Sequence, residues 1–418
     1  VVEELAIDDD DPAFFHYYSS ACDTARFTAM KNFGENGGAS TNRHVAIAKA
    51  MGEAIERYSC AFYDPAGFVF AAYRDLQARA VQPSLLAPYD AAQFGWKDFP
   101  WHPFKVDTPV HWARGVSLHN GHEILLPAAA VYIPYHYRGP THSAFILQPI
   151  STGLACGTSF EEAALSALCE VLERDAFTIT WQARLCHPHV AERTLPRSIQ
   201  DLIERFNAVG IEVKLMDMTN DIGVPSMLSI ALCNAATSPA VAVAAATDPS
   251  PERALVKALD ELAHTRKYAK HLMRYTPEVP VDVAGGHPMV KSQRDHLRFY
   301  CPQSAKAFAE FAFSSTAVKH FDDLADLSLG NTSEQLGEVV QKTIAAGLEP
   351  IAVDLTTPDI RSLGLHVVRV VAPGAHPLYM GHGNRALGIR RLYDVPPKCG
   401  YRGLAHGDMD NPYPHPFP

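Results

Sequence analysis

The stretch Glu161-Glu-Ala-Ala-Leu-Ser-Ala-Leu-Cys-Glu170-Val-Leu-Glu173-Arg174 decides how this chain is read. A shorter version, Lys49-Ala-Met-Gly-Glu53-Ala-Ile-Glu56-Arg57, lies upstream. Residues advance about 100° each around an α-helix, so Lys49, Glu53 and Glu56 fall on one stripe. Glu162, Ser166, Glu170 and Glu173 fall on another, and the intervening Ala, Leu, Ile and Val would bury the opposite faces. Each stretch follows a small-residue turn ending in capping side chains, Glu35-Asn-Gly-Gly-Ala-Ser-Thr-Asn42 and Ser151-Thr-Gly-Leu-Ala-Cys-Gly-Thr-Ser159. The repetition reads as two copies of one functional element.

Carboxylates three and four residues apart on a helix repel by roughly 0.2–0.5 kcal/mol per exposed pair, and by more when desolvated. Something cationic must compensate, and Arg57 and Arg174 are the local candidates. Two facing stripes would suit a hard cation with oxygen ligands such as Mg²⁺, which is commonly shared with the phosphates of a nucleotide. Two solvated helix faces are the other reading of the same residues. A third helix, expected over about 251–271, adds Glu261 as a further carboxylate and Arg266 as a phosphate partner.

Working outward, helices are expected over about 43–62, 161–181, 199–209 and 335–346. Strands are expected over 110–116, 124–132, 212–217, 227–232, 241–246, 349–354 and 366–371. Residues 272–330 read as a peripheral helical segment. The alternation implies an α/β or α+β fold with helices packed on mixed sheets. The end, Asn411-Pro-Tyr-Pro-His-Pro-Phe-Pro418, alternates proline and favours a stiff extended rod.

The chain has 418 residues, 47% of them hydrophobic and 20% charged, which excludes a disordered chain. Its net charge of −10 argues against non-specific nucleic-acid binding. The longest apolar run, Ala240 to Ala246, falls far short of the ~18–20 residues that cross a bilayer, so no membrane span is expected. The eight cysteines form no CxxC pair and read as reduced thiols of a cytoplasmic protein. His119, His122, His187, His189 and His382 read as surface or loop histidines, and Cys169 as core. Arg385, Arg390 and Arg391 suit either a phosphate or peptide contact, or plain surface charge.

Taken together, the two glutamate stretches, Ala254-Leu-Val-Lys-Ala-Leu-Asp-Glu261, Val367-Val-Arg-Val-Val-Ala-Pro-Gly374 and the proline-alternating end resemble the YcaO-domain proteins. They are most similar to the azoline-forming cyclodehydratases of ribosomal peptide natural products. The likeness runs from about residue 25. It implies a YcaO fold, with residues 1–24 as an N-terminal extension, 25–418 as the catalytic domain and 393–418 as a tail reaching the active site. It also implies an ATP and Mg²⁺ site without a P-loop, whose GxxxxGK[ST] signature the chain lacks. Glu53, Glu56, Glu170 and Glu173 would hold Mg²⁺. Lys49, Glu162, Ser166, Glu261 and Arg266 would join these glutamates around the nucleotide. Lys49 stands where the family's first motif has Ser. Gln is often found at the positions of Ser166 and His264.

The implied reaction is backbone activation. A Cys, Ser or Thr side chain of a ribosomal precursor peptide attacks the preceding amide carbonyl. The oxyanion takes the γ-phosphoryl group of ATP, and loss of phosphate leaves a thiazoline or oxazoline. Arg57 and Arg174 would neutralise charge, and the terminal carboxylate of Pro418 would act as base or orienting group. The alternatives are thioamide formation from external sulfide and a non-catalytic peptide-binding scaffold. The resemblance further implies a homodimer, a separate leader-peptide-recognition protein, since no fused one fits before residue 25, and a flavin-dependent azoline dehydrogenase acting afterwards.

Overall fold

Gly38 lies so close to the helix that follows it that a Cβ there would come within 2.6 Å of the Ala50 backbone nitrogen. Gly157 stands in the same relation to the next long helix, where a Cβ would lie 2.8 Å from the nitrogen of Ala163. These glycines let a strand lie flat on its own helix. The computed structural model in which this is seen describes all residues except 29, 136–142, 283–285, 406 and 418.

The strand–helix unit occurs three times. Strand Asn36–Ser40 precedes helix Arg43–Ser59, capped by the Asn42 side chain. Strand Leu154–Gly157 precedes helix Phe160–Gln182, capped by Ser159. Strand Val241–Thr247 precedes helix Pro251–Tyr275, capped by Ser250 with Pro at its first position. Helices and sheets therefore mix as expected. The two glycine-bearing segments read as turns contain short strands, because a small-residue segment buried between a helix and neighbouring strands finds its backbone partners in the sheet.

Three sheets carry these units. Strands 2–5, 15–19 and 36–40 form an antiparallel meander, so residues 1–24 pair directly with the first unit. A five-stranded sheet runs 241–247, 226–232, 212–217, 189–190, 318–319, and its last pairing is parallel. A six-stranded antiparallel sheet joins strands 69–72, 109–117, 351–354, 366–371 and 154–157, with 123–127 paired to 109–117. Strand 123–127 stops at Pro127, short of the expected 132, because Ala128–Ala130 turn into a 3₁₀ helix. Helix 160–182 packs on strands 366–371 and 241–247 and on helix Thr332–Ala345, so it bridges two sheets. Cys169 is buried in that interface, as read.

Residues 272–330 are not peripheral. Phe299 and Tyr300 are buried in the same apolar cluster as Phe177, Trp181 and Phe417. A helix at Arg391–Lys398 escaped the sequence reading because it contains Pro396 and Pro397. His187 and His382 are buried rather than superficial; His187 bonds the hydroxyls of Thr180 and Tyr401. Arg391 is buried on Asp175 and Asp221, and Arg385 pairs with Asp410. No described helix is long and apolar enough to cross a membrane.

Candidate active site

The glutamates of helices 43–59 and 160–182 meet, and each pair is held in the same way. The first glutamate of each pair takes an N–H from its own unit and a guanidinium one turn on. Glu53 accepts from Gly37 N at 2.8 Å and from Arg57 at 3.0 Å. Glu170 accepts from Gly153 N at 3.0 Å and from Arg174 at 3.2 Å.

The second glutamate reaches the following unit. Glu56 accepts from Cys156 N at 2.8 Å, and Glu173 lies near enough to the Thr247 backbone for it to oppose the rise in its pKa. The third helix joins the first. Its Asp260 takes the Lys49 ammonium at 2.7 Å, and its other carboxylate oxygen is buried without a partner. Acidic side chains thus tie the first unit to the second and the third to the first.

Burial and mutual repulsion raise the second glutamates. Desolvation pushes Glu56 up to about 8, with Glu53 and Glu170 adding to it and Arg57 opposing. Desolvation pushes Glu173 up to about 7, with Glu170 and Glu261 adding and Arg174 opposing. Glu261 of the third helix therefore belongs to the same negative field. Burial works against charge on Arg57, but Glu53, Glu56 and Glu170 hold it charged. The cluster carries more carboxylate than the two arginines answer, which is the condition for recruiting a metal ion.

No three of these glutamates bring oxygens within 4.8 Å of one another. Among the described residues only Asp8, Asp10 and Asp11 do, and Lys267, Lys270 and Arg274 already neutralise them. The open spacing of the glutamates suits Mg²⁺, which takes one or two carboxylates and completes its shell with phosphate oxygens and water.

The remaining expected residues divide. Ser166 is half-buried between Glu162 and Glu170 on their stripe. Glu162 accepts from Thr158 N at 2.8 Å and from its hydroxyl; desolvation raises the Cys156 thiol, and Glu56 and Glu162 add to it. Arg266 is not brought to the carboxylates. It lies buried on Asp11 at 2.9 Å, the Asp10 carbonyl and Ser238. Five residues beyond Glu261 amount to about 500° of helix, so its side chain leaves on another face.

Sequence reasoning passed over Arg369. It is buried on strand 366–371, bonds the carbonyls of Ala130 and Ile150, and leaves Nε and Nη1 without a partner. Burial lowers it to about 10 while the Glu170 charge opposes the fall. The signal was a lone cation inside Val367-Val-Arg-Val-Val. Buried thiols offer no nucleophile. Desolvation pushes Cys60 up to about 11 and Cys169 up to about 12.

The tail packs against this cluster. Alternate prolines remove N–H groups that burial would otherwise have to satisfy, and the carbonyls find donors. Pro414 O takes Trp181 Nε1 at 3.1 Å and the Tyr300 hydroxyl at 2.7 Å. His415 O is 2.8 Å from His296 Nδ1. Phe417 packs 4.3 Å from the Phe177 ring, and the Arg174 guanidinium lies 4.3 Å above it. Arg174 is the same cation that holds Glu170 and Glu173. Pro418 itself lies outside the described residues.

A mixed α/β fold with an acidic cluster open to metal and phosphate defines a class of nucleotide-dependent enzymes built without a P-loop. The chain belongs to the YcaO family. The family model, described as YcaO cyclodehydratase, ATP- and Mg²⁺-binding, matches residues 37–376, and ATP and Mg²⁺ are the cofactors. An uncharacterized protein of Methanothermobacter thermautotrophicus is 30% identical over 83% of this chain and 85% of its own length. Another, named for lying in the tfuA 3′ region of Rhizobium leguminosarum bv. trifolii, is 26% identical over 64% of this chain and 61% of its own.

Among solved structures, a heterocyclase in complex with substrate and cofactor matches with TM-score 0.78 at 22% identity, over 100% of this chain and 54% of that one. The heterocyclase TruD matches with TM-score 0.69 at 25% identity, over 90% and 51%. YcaO from Methanopyrus kandleri, bound with AMPPCP and Mg²⁺, matches with TM-score 0.65 at 20% identity, over 90% and 85%. The chain spans about half the length of the first two.

Proposed function

We propose that this protein is an ATP- and Mg²⁺-dependent cyclodehydratase of a ribosomal precursor peptide, converting Cys, Ser or Thr to thiazoline or oxazoline. The observation that carries this reading is the buried tail. Phe417 packs beneath Arg174, whose guanidinium holds Glu170 and Glu173 at 3.2 and 2.6 Å. A tail docked at the carboxylates has a place in backbone cyclisation that simple ATP hydrolysis would not require.

In this reading Glu53, Glu56, Glu170 and Glu173 hold Mg²⁺. Bound Mg²⁺ and ATP supply the phosphoryl group that turns an amide oxygen, a poor leaving group, into a good one. Arg57, Arg174 and Arg369 neutralise charge around the phosphates, and their burial strengthens each contact. Lys49, held on Asp260, and Ser166 would contact the rest of the nucleotide. The Pro418 carboxylate, one residue beyond Phe417, takes or orients the proton of the attacking side chain. A separate leader-recognition protein delivers the peptide, and a flavin-dependent dehydrogenase can oxidise the product. Residues 25–418 act as one catalytic unit.

The test is to incubate the protein with ATP, Mg²⁺, the precursor peptide encoded beside it and any neighbouring recognition protein, and to read product mass. A loss of ~18 Da per modified residue accompanies cyclodehydration, in which phosphorylation and elimination remove the amide oxygen as phosphate. A gain of ~16 Da, oxygen exchanged for sulfur by the same activation, would instead identify thioamide formation. ATP turnover that the peptide does not stimulate would favour the scaffold.

A further inference from the structure

A cavity of about 120 Å³ opens beside Arg369. Its walls are largely apolar, with Leu86, Leu147, Ile150, Val371, Leu378 and Ile389 among them. Three polar side chains on the wall are already spent on the protein's own backbone. Gln148 exchanges both amide bonds with Met380, at 2.8 and 3.0 Å. Asn384 donates to Met380 O and accepts from Trp101. His376 has one nitrogen on Pro377 O and the other on Ala386 O. Arg369 also lines the cavity, and it alone of these four keeps buried N–H groups unpaired.

The position of the cavity gives it a purpose. Arg369 on its wall feels the Glu170 charge, so one side neighbours the acidic cluster. Tyr379 is on the other side, and its carbonyl holds His415 of the tail at 2.8 Å. The cavity therefore lies between the metal-binding carboxylates and the tail. An amide activated at that junction carries neighbouring side chains only one Cα–Cα step, about 3.8 Å, away.

Resting on the cyclodehydratase reading, we propose that this cavity is a subsite for an apolar side chain, that of the residue adjoining the one that cyclises in the peptide. An engineered apolar cavity of roughly 150 Å³ accommodates benzene, so this one admits a branched aliphatic side chain or a single ring. A peptide bearing such a side chain offers methyl groups to the walls and a carbonyl oxygen to Arg369. A carboxylate side chain would give up its water to sit near the Glu170 charge, and glycine would leave the walls uncovered.

Ligand-observed saturation-transfer NMR on the full chain tests this, with N-acetyl-leucyl-cysteinamide, N-acetyl-glycyl-cysteinamide and N-acetyl-glutamyl-cysteinamide as probes. Saturation should reach the leucyl methyls strongly, and the glycyl and glutamyl probes at least about fivefold less, as expected when one aliphatic side chain is buried. Val371→Trp, which fills the cavity, should abolish the leucyl signal. Leu85→Glu, at a rim position 45% exposed and so safe for folding, should weaken it in the same direction. A glutamyl signal equal to or stronger than the leucyl one, or a leucyl signal indifferent to both substitutions, would overturn the assignment. Titration of the same three proteins with ATP and Mg²⁺ reads the nucleotide site separately, and the three affinities should agree. A native chain that binds the leucyl probe but no nucleotide would sink the cyclodehydratase reading and leave the apolar subsite standing.

Discussion

Helices 43–59 and 160–182 carry the same glutamate–arginine pattern in very different settings. The first lies beside a three-stranded meander and buries only Ala46, Ala50, Ala54 and Ser59. The second is buried along most of its length between two sheets. Glu53 is 34% exposed at its side chain and its counterpart Glu170 25%. Arg57 binds one glutamate; Arg174 binds two and also covers Phe417 of the tail. A repeated motif thus supplies a fixed half and a more open half, and the chemistry is expected to lean on the fixed half.

The largest expected effect comes from the second glutamate of each pair. Glu173→Gln should lower peptide-stimulated ATP turnover by at least about 10²–10³-fold, as loss of one preorganised charge does elsewhere. Glu56→Gln should do nearly as much, while Glu53→Gln, more exposed, should cost less. Equal losses at Glu53 and Glu173 would break the distinction between the two positions. Next, Arg174→Lys should cost about 10²-fold and Arg57→Lys about 10-fold, because an ammonium cannot span two carboxylates as a guanidinium does.

Removing Phe417 and Pro418 separates the tail from the fold. Turnover should fall about 10²-fold, as misplacement of a positioning group does. The melting temperature should drop by only roughly 5 °C, because one buried aromatic contact is lost. Calorimetric melting and product mass on one sample decide which loss dominates.

The smallest effect concerns protons. Glu56 and Glu173 have folded-state values of about 8 and 7 against an ordinary 4.5, so the folded state holds protons that the unfolded chain has released. Stability of the metal-free protein should therefore decline as pH rises from about 4.5 through 8. Mg²⁺ competes with those protons. Its affinity should rise between pH 6 and 8.5 with proton release, measured by calorimetry in buffers of different ionisation enthalpy. An affinity independent of pH would place the metal away from the second glutamates.

What the sequence made legible was periodic. The glutamate stripes, their arginines and the three long helices follow from spacing alone. The tail was legible too, since four alternating prolines allow little besides an extended rod. Legibility ended where long-range packing decides. Arg266 sits on the third helix within five residues of Glu261, yet Asp11 at the far end of the chain claims it. Asn36–Ser40 looks like a turn, and only the meander and helix pressed against it make it a strand. Arg369 was hidden because a single cation in an apolar strand has no period, and only its neighbours show that two of its N–H groups lack partners.

The acid contacts joining the strand–helix units have a consequence for how the molecule comes apart. Cys156 is held by a side chain from the first unit, and Lys49 of the first by one from the third. No unit can fray without loosening the grip on its neighbour. The catalytic centre should accordingly be lost on heating as one cooperative block, and weakening the Lys49–Asp260 link should be felt at amides two units away.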